Sequence, residues 1–215
     1  MLTDSTLPGL DQLTAVCQRH SLRMKLAPPG VPSPQPGESI LGTPLDPQLA
    51  AIYRRLGAAE FWDLALHGLT SDEDGLIPRN EWLRRRGQVQ YRASLVFGWK
   101  PGFAFYYGTV PQLANSRGIQ PVIYIQAMEA LFAVPIASSV DRFFQLYSHY
   151  LERLVRNPGY VGSGIPDVTF PWDMADLIGQ DAALMRQLHA GRFDFLTDNQ
   201  RDALEWLQEL RALHP

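Results

Sequence analysis

Residues 70–81 place Asp72, Asp74, Gly75 and Glu81 at the third, fifth, sixth and twelfth positions of a calcium-binding loop. A hard cation needs several oxygen ligands, and a glycine at the sixth position permits the sharp turn. Thr70, however, stands where a charged aspartate ligates, and no partner loop exists elsewhere. The stretch is expected to be an acidic turn between a strand and a helix. Cys17 and His20 lie three residues apart, a spacing at which a thiolate and an imidazole could form a nucleophilic pair. Cys17 falls on an apolar stripe and no third residue orients His20, so a buried structural thiol is expected. Gly162-Ser163-Gly164 resembles part of a nucleophile elbow, but Val161 occupies the position that needs glycine. Arg84, Arg85 and Arg86 with Trp82, Tyr91 and Arg92 mix cations and aromatics, the materials of a phosphate-gripping, base-stacking patch. Three successive helical arginines point in three directions, so solvated or acid-paired side chains are expected. The five histidines are scattered without zinc-ligand spacing. There is no phosphate-cradling glycine motif. No metal, cofactor or catalytic residue is expected.

Those residues must be held by elements, and the pattern of the chain predicts them. Leu10, Leu13, Cys17 and Met24 recur at helical spacing, so residues 9–25 read as an amphipathic helix. Pro28, Pro29, Pro32, Pro34, Pro36 and Pro44 then mark residues 27–44 as an extended linker. Asp46-Pro47 is a helix start, with Leu49, Ile52, Tyr53 and Leu56 on one face and Gly57 as a left-handed stop. Residues 61–66 read as a strand and residues 79–86 as a short helix. Segments 94–97, 103–107, 122–126 and 130–134 are β-prone and bounded by Gly or Pro, the mark of an antiparallel meander. Residues 98–102 read as its hairpin loop, with Trp99 at the tip. Val140, Phe143, Phe144, Tyr147, Tyr150, Leu151 and Leu154 form the stripe of a long helix capped by Ser138 or Ser139. Residues 180–189 and a last helix opened by a Thr197–Gln200 capping box complete the chain.

Strands in a block with helices at both ends argue for an α+β fold. The expected form is a mostly antiparallel sheet of about five strands flanked by helices, with extra N-terminal and C-terminal helices. The expected organisation is an N-terminal helix over 1–26, a linker over 27–44, an α+β domain over 45–157 and a helical extension of it over 158–215.

With 215 residues, 46% apolar and 11% aromatic, the chain is neither disordered nor in need of a metal or disulfide to fold. A net charge of −3 argues against a dedicated nucleic-acid binder. All of the 19 cationic residues except Lys25 and Lys100 are arginine. The charge is segregated: Glu60, Asp63, Asp72, Glu73 and Asp74 fall in one block, and Arg79, Arg84, Arg85, Arg86 and Arg92 in the next. The opening residues lack a basic and an apolar region, and the apolar run 121–140 is interrupted by Gln126, Glu129 and Pro135. The expectation is a cytoplasmic protein with no membrane contact.

The segment from Gly42 to Leu154 resembles the SUKH superfamily, bacterial immunity proteins of polymorphic toxin systems related to a fungal regulator of cell-wall synthesis. The resemblance rests on Leu45-Asp46-Pro47 through Leu56-Gly57, and on Leu76-Ile77-Pro78 with Glu81-Trp82. It continues through Gly98-Trp99, Phe103 to Tyr107, Pro121-Val122-Ile123-Tyr124, and Ile136 to Phe144. It implies an α+β sheet and a non-enzymatic role, in which the chain binds and neutralises a cognate protein toxin, often a nuclease. A scaffold or regulator of the same fold, and an enzyme with a site built from unrelated loops, are the alternatives. The candidate partner-binding residues are Asp72, Glu73 and Asp74, which could mimic phosphates toward a basic cleft, with Trp82 and Trp99 as aromatic anchors. The oligomeric state, monomer or homodimer, is left open by the sequence.

Overall fold

Asp46 and Ser139 illustrate how local chemistry sets the elements. The computed structural model describes residues 6–30, 34, 38–164 and 167–213. Asp46 accepts hydrogen bonds from the backbone N–H of Gln48 (2.8 Å) and Leu49 (3.0 Å), and Pro47 opens the helix behind it. Ser139 Oγ accepts from Arg142 N–H at 3.1 Å and starts the longest helix.

In chain order the elements are α1 (Pro8–Arg19), β1 (Met24–Leu26), β2 (Ser39–Ile40), β3 (Thr43–Pro44), α2 (Pro47–Arg55), β4 (Ala59–Phe61) and β5 (Leu64–Leu66). Two short helices follow, α3 (Leu76–Arg84) and α4 (Val89–Arg92). The meander is β6 (Leu95–Trp99), β7 (Phe105–Thr109), β8 (Val122–Gln126) and β9 (Phe132–Ala137). Helices α5 (Val140–Arg156), α6 (Pro158–Ser163), α7 (Ala175–Gly179), α8 (Ala182–His189) and α9 (Arg201–Leu213) complete the described chain. Strands β1, β4, β5, β6, β7, β8 and β9 form one antiparallel sheet in that order, and β2 pairs with β3 separately. The fold is α+β, with helices flanking the sheet.

Side chains alternate across the strands. Phe97 and Tyr107 point to the face covered by α5, where Phe143 lies 5.6 and 5.1 Å from them, centroid to centroid. Tyr106 points the other way and meets Tyr91 of α4 edge-on at 6.2 Å. Helix α1 lies on α5, tied by Gly9 N–H to Asp141 Oδ1 (2.8 Å) and by Arg19 to Glu152 (2.8 Å). The C-terminal helices join through Asp181, which accepts from Ser138 N–H (2.7 Å) and caps α8 at Leu184 N–H (3.1 Å).

Several expectations are corrected. The first helix stops at Arg19, because Ser21 takes a left-handed backbone (φ 51°) and Met24 enters β1. The 27–44 linker is partly ordered: Ala27 bonds across to Ala58 and Gly57, and β2 turns into β3 through Leu41 and Gly42, both at positive φ. That two-residue turn matches the twist of a hairpin. Ile40 is buried, whereas residues 31–33 and 35–37 lie outside the described residues. Helix α2 ends at Arg55, with Leu56 extended, and Gly57 is not left-handed. Gly57 is needed for close approach, since a Cβ there would overlap the carbonyl oxygen of Pro28. Residues 61–66 hold two strands, folded back at Trp62 (φ 58°), so the sheet has seven strands, not about five. The helix expected over 180–189 is α8, which begins at Ala182 behind its cap Asp181, and a separate short helix, α7, precedes it. Thr197 does not cap α9; its hydroxyl donates to the Asp194 carbonyl, and Asp198 and Asn199 are left-handed.

Candidate partner-binding site

The acidic turn, α3 and the start of the β6–β7 hairpin meet at one end of the sheet. Gly75 permits the turn, because a Cβ there would overlap the Thr70 carbonyl oxygen. Asp72 Oδ1 accepts from Asp74 N–H at 3.1 Å, which closes the turn on itself. The Asp74 carboxylate is ion-paired with Arg79, one helical turn into α3. Among the described residues no group of three or more His, Cys, Asp and Glu is arranged to hold a metal ion.

Helix α3 is fixed to the sheet by Asn80, which is fully buried. Strand β5 leaves β6 after Gly98, and Asn80 takes its place: Val96 N–H donates to Asn80 Oδ1 (2.8 Å), and Asn80 Nδ2 donates to the Val96 carbonyl (2.7 Å). The same amide donates to Leu76 within the helix (2.8 Å). This clamp holds the outer side of α3 to solvent, with Ile77 and Trp82 41% and 38% exposed. The guanidinium of Arg86 lies 4.1 Å from the Trp82 ring centroid and that of Arg79 5.4 Å. Both contacts are cation–π attractions. Arg84 turns inward instead, donating to the Leu41 carbonyl and Thr43 Oγ1, both at 3.0 Å. Arg84 and Arg86 therefore point in different directions, and Arg84, bonded to neutral oxygens, departs from the expectation of a solvated or acid-paired side chain.

Behind this helix, His67 is buried at the end of β5. Its ring stacks on Trp99 with centroids 4.2 Å apart and planes at 18°. Its Nδ1 lies 2.7 Å from the Asp74 carbonyl oxygen, so the neutral ring donates from Nδ1. Burial, opposed by that hydrogen bond, lowers the His67 pKa to about 4, and the ring is uncharged at neutral pH. His67 Nε2 finds no partner among the described residues. Trp99 is not at a hairpin tip. It pairs with Tyr106 inside the ladder, and the turn lies beyond it at Pro101-Gly102, where Gly102 supplies φ 83°.

A cavity of about 330 Å³ opens between these groups, lined by His67, Arg79, Trp99, Phe103 and Tyr106. Phe103 is 48% exposed, stacked on Phe105 at 5.3 Å, with Lys100 Nζ 5.3 Å from its ring. Lys100 also pairs with Asp63 at 2.9 Å, and Asp63 accepts from the buried hydroxyl of Tyr147. Met128, more than half exposed, extends the rim and accepts from Ala104 N–H through sulfur at 3.4 Å. The result is an aromatic face with an acidic margin at Asp72, Glu73 and Asp74 and cations laid over its rings.

Asp72, Asp74, Trp82 and Trp99 are thus linked through Arg79 and His67, while Glu73 lies exposed beside them. Sequence reasoning missed His67, Phe103, Tyr106 and Met128. A lone histidine, Phe103 and Tyr106 of the β6–β7 hairpin, and Met128 of the β8–β9 connection carry no spacing signal, since it is the pairing of several strands that gathers them. Cys17 and His20 play no part here: the thiol is buried on α1, and burial pushes its pKa up to about 11. Ser163 lies on the short helix α6, not on a strand-to-helix elbow. No helix among the described residues is long and apolar enough to cross a membrane. No family model, no curated protein and no solved structure matches this chain.

Proposed function

We propose that this chain is a binding protein that neutralises a cognate protein toxin, as the resemblance to the SUKH immunity proteins implies. The aromatic face around Trp82 and Phe103 would be the surface that engages the partner. The observation that carries the reading is Trp82 itself, a large aromatic left open to solvent yet held by Arg79 and Arg86 on a helix clamped to the sheet. An exposed aromatic on a rigid support loses little conformational freedom on binding and is the usual anchor of an interface. The acidic margin at Asp72, Glu73 and Asp74 would meet a basic surface, such as the cleft of a nuclease, and would speed encounter. His67 fits the same reading: a neutral, stacked imidazole stiffens the floor of the face.

The test has two stages. Tagged chain and its W82A/F103S variant are used to capture partners from the native cell. The captured partner's C-terminal region is then expressed in a naive host with and without this chain. The expected result is a stoichiometric partner that arrests growth alone, growth restored by the wild-type chain, and capture reduced at least tenfold by the double variant. A partner that is harmless when expressed, or one captured equally well by the variant, would overturn the proposal.

A further inference from the structure

A second cavity lies away from the aromatic face and shares no lining residue with it. It is a groove of about 960 Å³ between the turn before β8, the start of α5 and helix α8. Three arginines line it: Arg117 from the turn, Arg186 from α8, and Arg192 just beyond α8. None of the three forms an ion pair among the described residues. Among the described residues no carboxylate lines the groove. Two acids on the adjoining elements are committed inward: Asp46 accepts from Gln48, Leu49 and Gln120, and Asp181 accepts from Ser138 and Leu184. In a chain of net charge −3, three uncommitted guanidinium groups facing one cavity form a local concentration of positive charge.

The rest of the wall narrows the ligand. Ser138, Ser139 and Gln48 add polar side chains, and among the described residues no aromatic one lines the groove. A nucleobase would therefore have nothing to stack on. Gln187 contributes a side-chain oxygen that is buried and has no hydrogen-bond partner among the described residues. That oxygen is closed off from the groove's open space, so it takes no part in binding a ligand there. The volume lies at the upper end of the range for small-molecule sites.

We infer that this groove is a binding site for a small anion carrying more than one phosphate group. Arg117, Arg186 and Arg192 hold the phosphate groups. Guanidinium forks match phosphate oxygens in pairs, which gives such a site both strength and orientation. The inference stands independently of the toxin-binding reading, since the two surfaces have no residue in common.

The experiment is isothermal titration of the full chain at low ionic strength with fructose 1,6-bisphosphate and with pyrophosphate as probes. The wild-type chain should show one saturable site for each probe. The R117A/R186A/R192A variant replaces exposed side chains, so its far-UV circular dichroism should match the wild type while affinity for both probes falls at least tenfold. The inference is overturned if the sugar bisphosphate gives no saturable heat, or if wild type and the triple variant bind it alike. It is equally overturned if an oligoglutamate peptide or a single-stranded oligonucleotide binds the groove more tightly than the sugar bisphosphate.

Discussion

The imidazole of His67 lies flat against the indole of Trp99, 4.2 Å between ring centroids, while its Nδ1–H is spent on the carbonyl of Asp74. One buried ring thus joins the acidic turn to the central sheet. It does so only while uncharged, because burial lowers its pKa from 6.5 to about 4.

Acid should therefore loosen this end of the protein through His67. Below about pH 6.5 the unfolded chain takes up a proton that the folded chain refuses, so stability falls as pH drops from 6.5 toward about 4. The full loss corresponds to roughly 3 kcal/mol. Urea unfolding at about pH 7.5 and pH 5 should show the wild type losing stability over that interval. His67→Phe, which keeps a ring against Trp99 but cannot titrate, should lose distinctly less; an equal loss in the variant would assign the effect to other groups.

Asn80 is expected to be indispensable to the position of Trp82. Asn80→Asp would turn a carboxylate oxygen toward the carbonyls of Leu76 and Val96, where two N–H groups now donate. A destabilisation of about 3 kcal/mol is expected for such an uncompensated buried acceptor. Amide exchange should rise in α3 before the rest of the sheet. Exchange that rises uniformly would mean that Asn80 serves the whole core and not the helix alone.

Asp46 ties α2 to the turn before β8, since its second oxygen accepts from Gln120 N–H at 2.7 Å. Asp46→Ala removes three hydrogen bonds and should cost about 3–4 kcal/mol, whereas Asp46→Asn keeps the helix cap and should cost about half as much. Thermal melts of both variants decide the matter, and equal losses would show that the link to Gln120 dominates.

The seat of α1 on α5 depends on Gly9. A Cβ at that position would overlap the Asp141 carbonyl oxygen, while one at Gly42 would meet open space. Gly9→Ala should lower stability by about 3 kcal/mol through overpacking, and Gly42→Ala by about 1 kcal/mol from its left-handed backbone alone. Chemical denaturation of the pair gives the ranking, and the reverse order would refute the close contact.

The parts of this fold that could be read in advance are those where sequence pattern and final environment coincide. The apolar stripe from Val140 to Leu154, opened by Ser139, is the long helix, and residues 122–126 are β8 as expected. The hairpin of β4 and β5 was hidden because Trp62, a residue with no turn preference, makes the bend. Strand β1 was hidden because three residues cannot show an alternation, and its edge position is granted by Glu60 and its neighbours in β4. At the site, Asp72, Asp74 and Trp82 could be named because they stand close together in the chain. Trp99 was placed at a tip because glycine and proline surround it, although the ladder runs through it to Lys100. His67 and Phe103 reach the site only through strand register, which no local signal encodes.

The Gly9–Asp141 bond joins residues 132 positions apart. During synthesis, α1 emerges with Leu10, Leu13, Val16 and Cys17 along one side, and the helix that covers them has not yet been made. At the usual pace of a ribosome the wait is on the order of ten seconds. For that interval the nascent chain carries an oily helix with nowhere to dock, and a chaperone at the tunnel exit would meet it before α5 does.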